Sequence, residues 1–118
     1  MTALVWFGVA GLGGLGALLR FGVDGAVSER AASEFPWGTF VVNLSGSFLL
    51  GLVAGAALHG DALLLAGTAM LGSYTTFSTW MLEAHRLGED GVLWLALVNV
   101  VLSVVLGVAA AELGRVIA

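Results

Sequence analysis

The chain has 118 residues, of which 59% are hydrophobic and 10% charged, and its formal net charge is −4. A water-soluble globule of this length needs more polar surface, so lipid is the expected solvent. The lack of cysteine excludes disulfides, thiolate nucleophiles and sulfur metal sites, and the scattered carboxylates Asp24, Glu29, Glu34, Glu89 and Asp90 form no charged run for a nucleic-acid or polyanion partner.

Uncharged stretches cover residues 2–19, 37–58, 62–82 and 92–111. As helices rising about 1.5 Å per residue, each can cross roughly 30 Å of hydrocarbon. The sequence therefore predicts one all-α integral membrane domain over residues 1–118, with four transmembrane helices and charged loops at 20–36 and 83–91.

The first stretch has no basic leader and no evident small-residue cleavage site, so it is expected to be retained as a span. Its glycines, Gly8, Gly11, Gly13, Gly14 and Gly16, allow close helix packing. The run Gly11-Leu12-Gly13-Gly14-Leu15-Gly16 fits G-x-G-x-x-G, but it lies inside an uncharged span rather than between a strand and a helix, which rules out a dinucleotide site.

Pro36 stands at the expected start of the second helix, where its missing N–H is tolerated. Within that helix Asn43 and Ser47 share a face, and Gly51 and Gly55 form a small-xxx-small pair. Asn43-Leu44-Ser45 matches a glycosylation sequon at a depth that no glycosyltransferase reaches.

The third stretch contains Gly72-Ser73-Tyr74-Thr75-Thr76-Phe77-Ser78-Thr79-Trp80, a poor helix former. Two outcomes are open: a continuous helix with hydroxyls bonded back to the preceding turn, or a break near 72–76 that releases carbonyls able to bind a cation. The fourth stretch repeats the second helix's spacing with Asn99 and Ser103. Trp6, Trp37, Trp80 and Trp94 all lie near span ends and read first as interfacial belt residues.

No span contains Asp, Glu or Lys, while Arg20, Glu112, His59 and His85 fall at span ends or in loops. A proton relay and a membrane active site therefore lack their residues, and a non-enzyme is expected. What remains inside the membrane is neutral: the amides of Asn43 and Asn99, the hydroxyls of Ser47, Thr76, Ser78, Thr79 and Ser103, and the ring edge of Phe77. Taken singly, each can serve as an interhelical hydrogen bond; together they suit a small anion, because weak neutral sites stabilise it without trapping it.

Three segments carry a family resemblance: Gly13-Gly14-Leu15-Gly16-Ala17-Leu18-Leu19-Arg20; Pro36-Trp37-Gly38-Thr39 with Val42-Asn43-Leu44-Ser45-Gly46-Ser47-Phe48; and Thr75-Thr76-Phe77-Ser78-Thr79. In order and placement they resemble the Fluc/CrcB fluoride channels over nearly the whole chain. The resemblance implies an antiparallel, dual-topology homodimer in a prokaryotic cell membrane, or a heterodimer with a paralogous chain, that exports fluoride passively. It also implies a central structural sodium ion held by the carbonyls of Gly72 and Thr75. The fluoride path would be lined by Asn43, Phe77 and Ser103, with Arg20 near a vestibule and hydroxyls from Thr76 and Thr79. Trp80 and Asn99 depart from the family pattern, in which phenylalanine and tyrosine are common there. Two other classes are alternatives: a proton-coupled small multidrug exporter, whose first span should carry a carboxylate that is missing here, and a non-conducting assembly subunit held by its glycine faces.

Overall fold

The computed structural model describes residues 2–118, and among them it is helical with no strand. The first helix, α1, runs Ala3–Ala31. The Thr2 hydroxyl accepts from the Val5 N–H at 3.2 Å to cap its start, and Ala32, in the left-handed region at φ 35°, ends it by bonding its N–H to the Ser28 carbonyl. The expected loop at 20–36 is thus mostly helix. Charge marks where hydrocarbon stops, but only a backbone signal stops a helix, and none occurs before Ala32. Asp24 even accepts a hydrogen bond from Ser28 one turn on, at 3.1 Å.

Helix α2, Trp37–Gly55, begins immediately after Pro36, as expected. The next stretch is composite. Helix α3 (Asp61–Leu63) leads into a π-helical segment (Leu64–Leu71) and a short α4 (Gly72–Tyr74); the chain then breaks before α5 (Ser78–Glu89). Helix α5 absorbs most of the expected 83–91 loop, for the same reason that α1 runs on. The last helix, α6, covers Leu93–Ile117. Three helices, α1, α2 and α6, are long and apolar enough to cross a membrane.

Helices α2 and α6 share the most extensive packing in the bundle. Glycine permits that approach: a Cβ on Gly51 would overlap the Ala111 carbonyl, and one on Gly114 would overlap the Phe48 carbonyl. Lipid supplies no hydrophobic drive between helices, so such backbone contact is what dispersion needs to hold them. The longest extent of the chain, 50 Å, exceeds the hydrocarbon thickness and carries the charged helix ends beyond it.

The burial pattern is inside-out relative to a soluble protein. Leu4, Phe7, Phe21, Leu93 and Val108 are exposed, whereas Asn99 is 0% and Thr39 2% exposed. Polar groups have withdrawn from the surface, as lipid requires.

Candidate functional site

The break falls at Thr75, whose backbone is extended (φ −76°, ψ 161°). Of the two outcomes left open by the sequence the break is the one that occurs, and the hydroxyl bonds to the preceding turn form without keeping the helix continuous. The Ser73 hydroxyl donates to the Ala69 carbonyl at 2.7 Å and that of Thr75 to the Leu71 carbonyl at 3.1 Å, yet the helix still breaks.

Helix α2 supplies the cradle for this break. The Asn43 side chain pairs with both backbone groups of Thr76: Nδ2–H donates to the Thr76 carbonyl at 2.8 Å, and the Thr76 N–H donates to Oδ1 at 2.8 Å. Ser45 Oγ lies 2.9 Å from the Tyr74 hydroxyl. Gly46 leaves the space taken by the Thr75 methyl, which a Cβ there would overlap. Residues 43–46 therefore recognise 74–76 as a surface, using an amide, a hydroxyl and a gap in turn.

In a continuous helix the Thr76 N–H would bond to the Gly72 carbonyl and the Thr79 N–H to the Thr75 carbonyl. Here the first goes to Asn43, and the second goes to the Thr76 hydroxyl at 3.2 Å. Among the described residues neither carbonyl oxygen accepts another hydrogen bond. Both keep free lone pairs, so they fit a hard cation; no group of His, Cys, Asp or Glu among the described residues could hold one instead.

Two cavities flank the break. The larger, about 720 Å³, is lined by Asn43, Ser47, Thr76, Phe77, Trp80 and Ser103 among apolar neighbours and contains no charged side chain. The smaller, about 330 Å³, is lined by Arg20, Asp24, Thr39, Thr76 and Thr79. Thr76 borders both, so the residue clamped by Asn43 is the wall between them.

Most of the candidate path residues thus come together, but Ser78 and Asn99 line neither cavity. Asn99 is enclosed, with its Oδ1 accepting from Ser103 Oγ at 3.3 Å and its Nδ2 without a partner. Trp80 is not a free interfacial anchor: it is half-buried and meets Phe77 edge to face, with ring centroids 5.8 Å apart at 82°. Thr39, named in the sequence only within a resemblance segment, is a further residue of the site. Its hydroxyl is buried without a partner beside the smaller cavity, and the sequence signal that could have found it was a hydroxyl one turn before Asn43.

The family described as "CrcB-like protein, Camphor Resistance (CrcB)" matches residues 7–115. A protein of Mycolicibacterium paratuberculosis named "Fluoride-specific ion channel FluC 2" is 62% identical over 99% of this chain and 96% of its own length. The Mycobacterium tuberculosis protein of the same name is 58% identical over 100% of this chain and 94% of its own. A Clostridium acetobutylicum protein, again of that name, is 35% identical over 91% of this chain and 92% of its own.

Proposed function

The chain belongs to the CrcB-like family, and on that premise we propose that it is a fluoride-specific ion channel that exports the anion passively from the cytoplasm. Fluoride crosses membranes as its neutral conjugate acid and ionises inside, so a selective leak driven by the membrane potential lowers its internal level without an energy source. The observation that carries this reading is the larger cavity, which presents amide, hydroxyl and aromatic groups and no fixed charge. Such groups stabilise a small anion weakly enough to release it, and they give a proton-coupled exporter no ionisable group to work with.

The main path runs past Asn43, Ser47, Thr76, Phe77, Trp80 and Ser103. Arg20 and Thr79 act from the smaller cavity, Arg20 drawing anions toward it. Asn99 and Ser78 belong to the path indirectly: Asn99 holds the Ser103 hydroxyl, which must rotate off Asn99 to donate to an anion, and Ser78 opens α5 beside the path.

The protein is a multi-pass membrane protein, and we place it in the cell membrane with four crossings in one domain, residues 62–82 supplying the third. Phe77 is 71% exposed on the chain, and an ion path cannot have lipid as one wall. A second copy, antiparallel to the first, provides that wall, although a paralogous chain could take its place. The Gly72 and Thr75 carbonyls of the two copies would hold a structural sodium ion at the dimer centre, and the ion would supply fixed positive charge there.

Liposomes loaded with fluoride should empty once valinomycin and potassium relieve the charge imbalance, while chloride stays inside. Equal chloride efflux, or fluoride movement that needs a proton gradient, would falsify the channel reading. Dual insertion has its own test. Arg20, Arg30 and Arg86 fall toward one side and Arg115 toward the other, a weak bias. A cysteine at Gly88 should then be labelled from both faces of the membrane, about half from each. Labelling from one face alone, with only this chain expressed, points to a fixed topology and a separate partner.

A further inference from the structure

We propose that Asn43 and the Thr76 hydroxyl are positioning residues that create the cation site, each by diverting one helical N–H and uncovering one carbonyl oxygen. The inference rests on the sodium assignment made above. Asn43 removes the donor that belongs to Gly72, and Thr76 Oγ removes the donor that belongs to Thr75. The first diversion comes from another helix and the second from the broken segment itself. They fall on the two oxygens that the cation needs.

The Asn43 amide is suited to this in a way a hydroxyl is not. Its oxygen must face the Thr76 N–H and its nitrogen the Thr76 carbonyl, so both polar groups of one peptide residue are satisfied at 2.8 Å. Without that pair, an opened helix would leave Thr76 with two unmet backbone groups in a low-dielectric interior, which favours closing the helix again. With it the break is the satisfied state, and the carbonyls of Gly72 and Thr75 are the groups left for a ligand. Asn43 thus acts on the cation through the backbone and need not touch it.

The test uses the purified full-length chain in detergent and follows its thermal unfolding midpoint as sodium chloride replaces N-methylglucamine chloride at constant ionic strength. Wild type should show a saturable, sodium-specific rise, because a ligand of the folded state stabilises it. Asn43→Leu has a similar volume and no acceptor, so the Thr76 N–H can return to Gly72. Its rise should vanish or need about tenfold more sodium, the scale of one hydrogen bond. Asn43→Asp still accepts from the Thr76 N–H and should keep the sodium response, although an enclosed carboxylate lowers its starting stability. A merely structural Asn43 predicts a lower starting stability in both variants with the sodium response of wild type unchanged in each.

Thr76→Ser and Thr76→Val form an independent pair with no change of charge. Serine retains the acceptor for the Thr79 N–H and should respond as wild type does, whereas valine should lose the response. This pair also separates diversion from direct attraction of sodium by an aspartate, and it decides alone if Asn43→Leu does not fold. Leu and Val variants that respond at the wild-type sodium concentration overturn the proposal, as does a wild type with no sodium-specific rise. No fluoride enters the measurement, so a chain with this sodium pattern but no fluoride flux would remove the channel reading and leave the inference standing.

Discussion

Replacing Phe77 by isoleucine is expected to lower fluoride efflux from liposomes by about two- to tenfold, with the protein eluting from gel filtration at its wild-type volume. An aromatic ring carries positive charge at its edge, and an anion contact of the same strength as an edge-to-face aromatic pair, about 0.5–1.5 kcal/mol, costs about two- to tenfold in rate when it is lost at a constriction. Isoleucine keeps much of the bulk and apolarity while removing the quadrupole. Folding should survive because the Phe77 side chain is 71% exposed and its one aromatic partner is Trp80. Trp80→Phe is the companion measurement. It keeps a ring against Phe77 and discards an indole Nε1 that has no hydrogen-bond partner, so efflux should persist or rise. Undiminished efflux in Phe77→Ile removes the aromatic-edge mechanism and leaves Asn43 and the hydroxyls as the donors.

Gly46→Ala should destabilise the folded chain by about 1–3 kcal/mol, the usual cost of forcing a methyl into a filled site. That methyl would overlap the Thr75 Cγ2 and crowd the Tyr74 ring, so the broken segment must move off α2 and strain the Asn43–Thr76 pair. The diagnostic is a second change at the overlapping atom. Thr75→Ser deletes that Cγ2 yet keeps the hydroxyl that donates to the Leu71 carbonyl at 3.1 Å, and alone it should cost about 1 kcal/mol. Combined with Gly46→Ala, it should recover about 1 kcal/mol or more relative to additivity, read from equilibrium unfolding of the four proteins. Additive costs would mean that Gly46 does not receive Thr75 and that the cradle is held by Asn43 and Ser45 alone.

Much of this protein was legible in its composition. Whether a stretch of chain enters lipid depends on transfer free energies that sum along the sequence, so the uncharged stretches and the polar side chains of Asn43, Ser47 and Ser103 within them could be read without coordinates. The weakness of 72–80 as a helix was legible for the same reason, since propensity is local. The family motifs lie in those same segments, which is why the membership shown by residues 7–115 was visible early.

Other features required the fold. Helices α1 and α5 continue well past their hydrophobic stretches, because backbone hydrogen bonding does not end where hydrocarbon does. Asn99 and Ser103 share a helix face, yet only Ser103 reaches the larger cavity, since one face of α6 is divided between packing against the bundle and lining the space beside it. Above all, glycine and hydroxyl content announced that the third segment could break, but not which N–H would leave which carbonyl. That choice belongs to Asn43, which lies 33 residues from Thr76 in the chain and reaches it only because α2 packs against the break. Local chemistry determined that a break was affordable; a side chain delivered from another helix decided where it opened and which oxygens it left free.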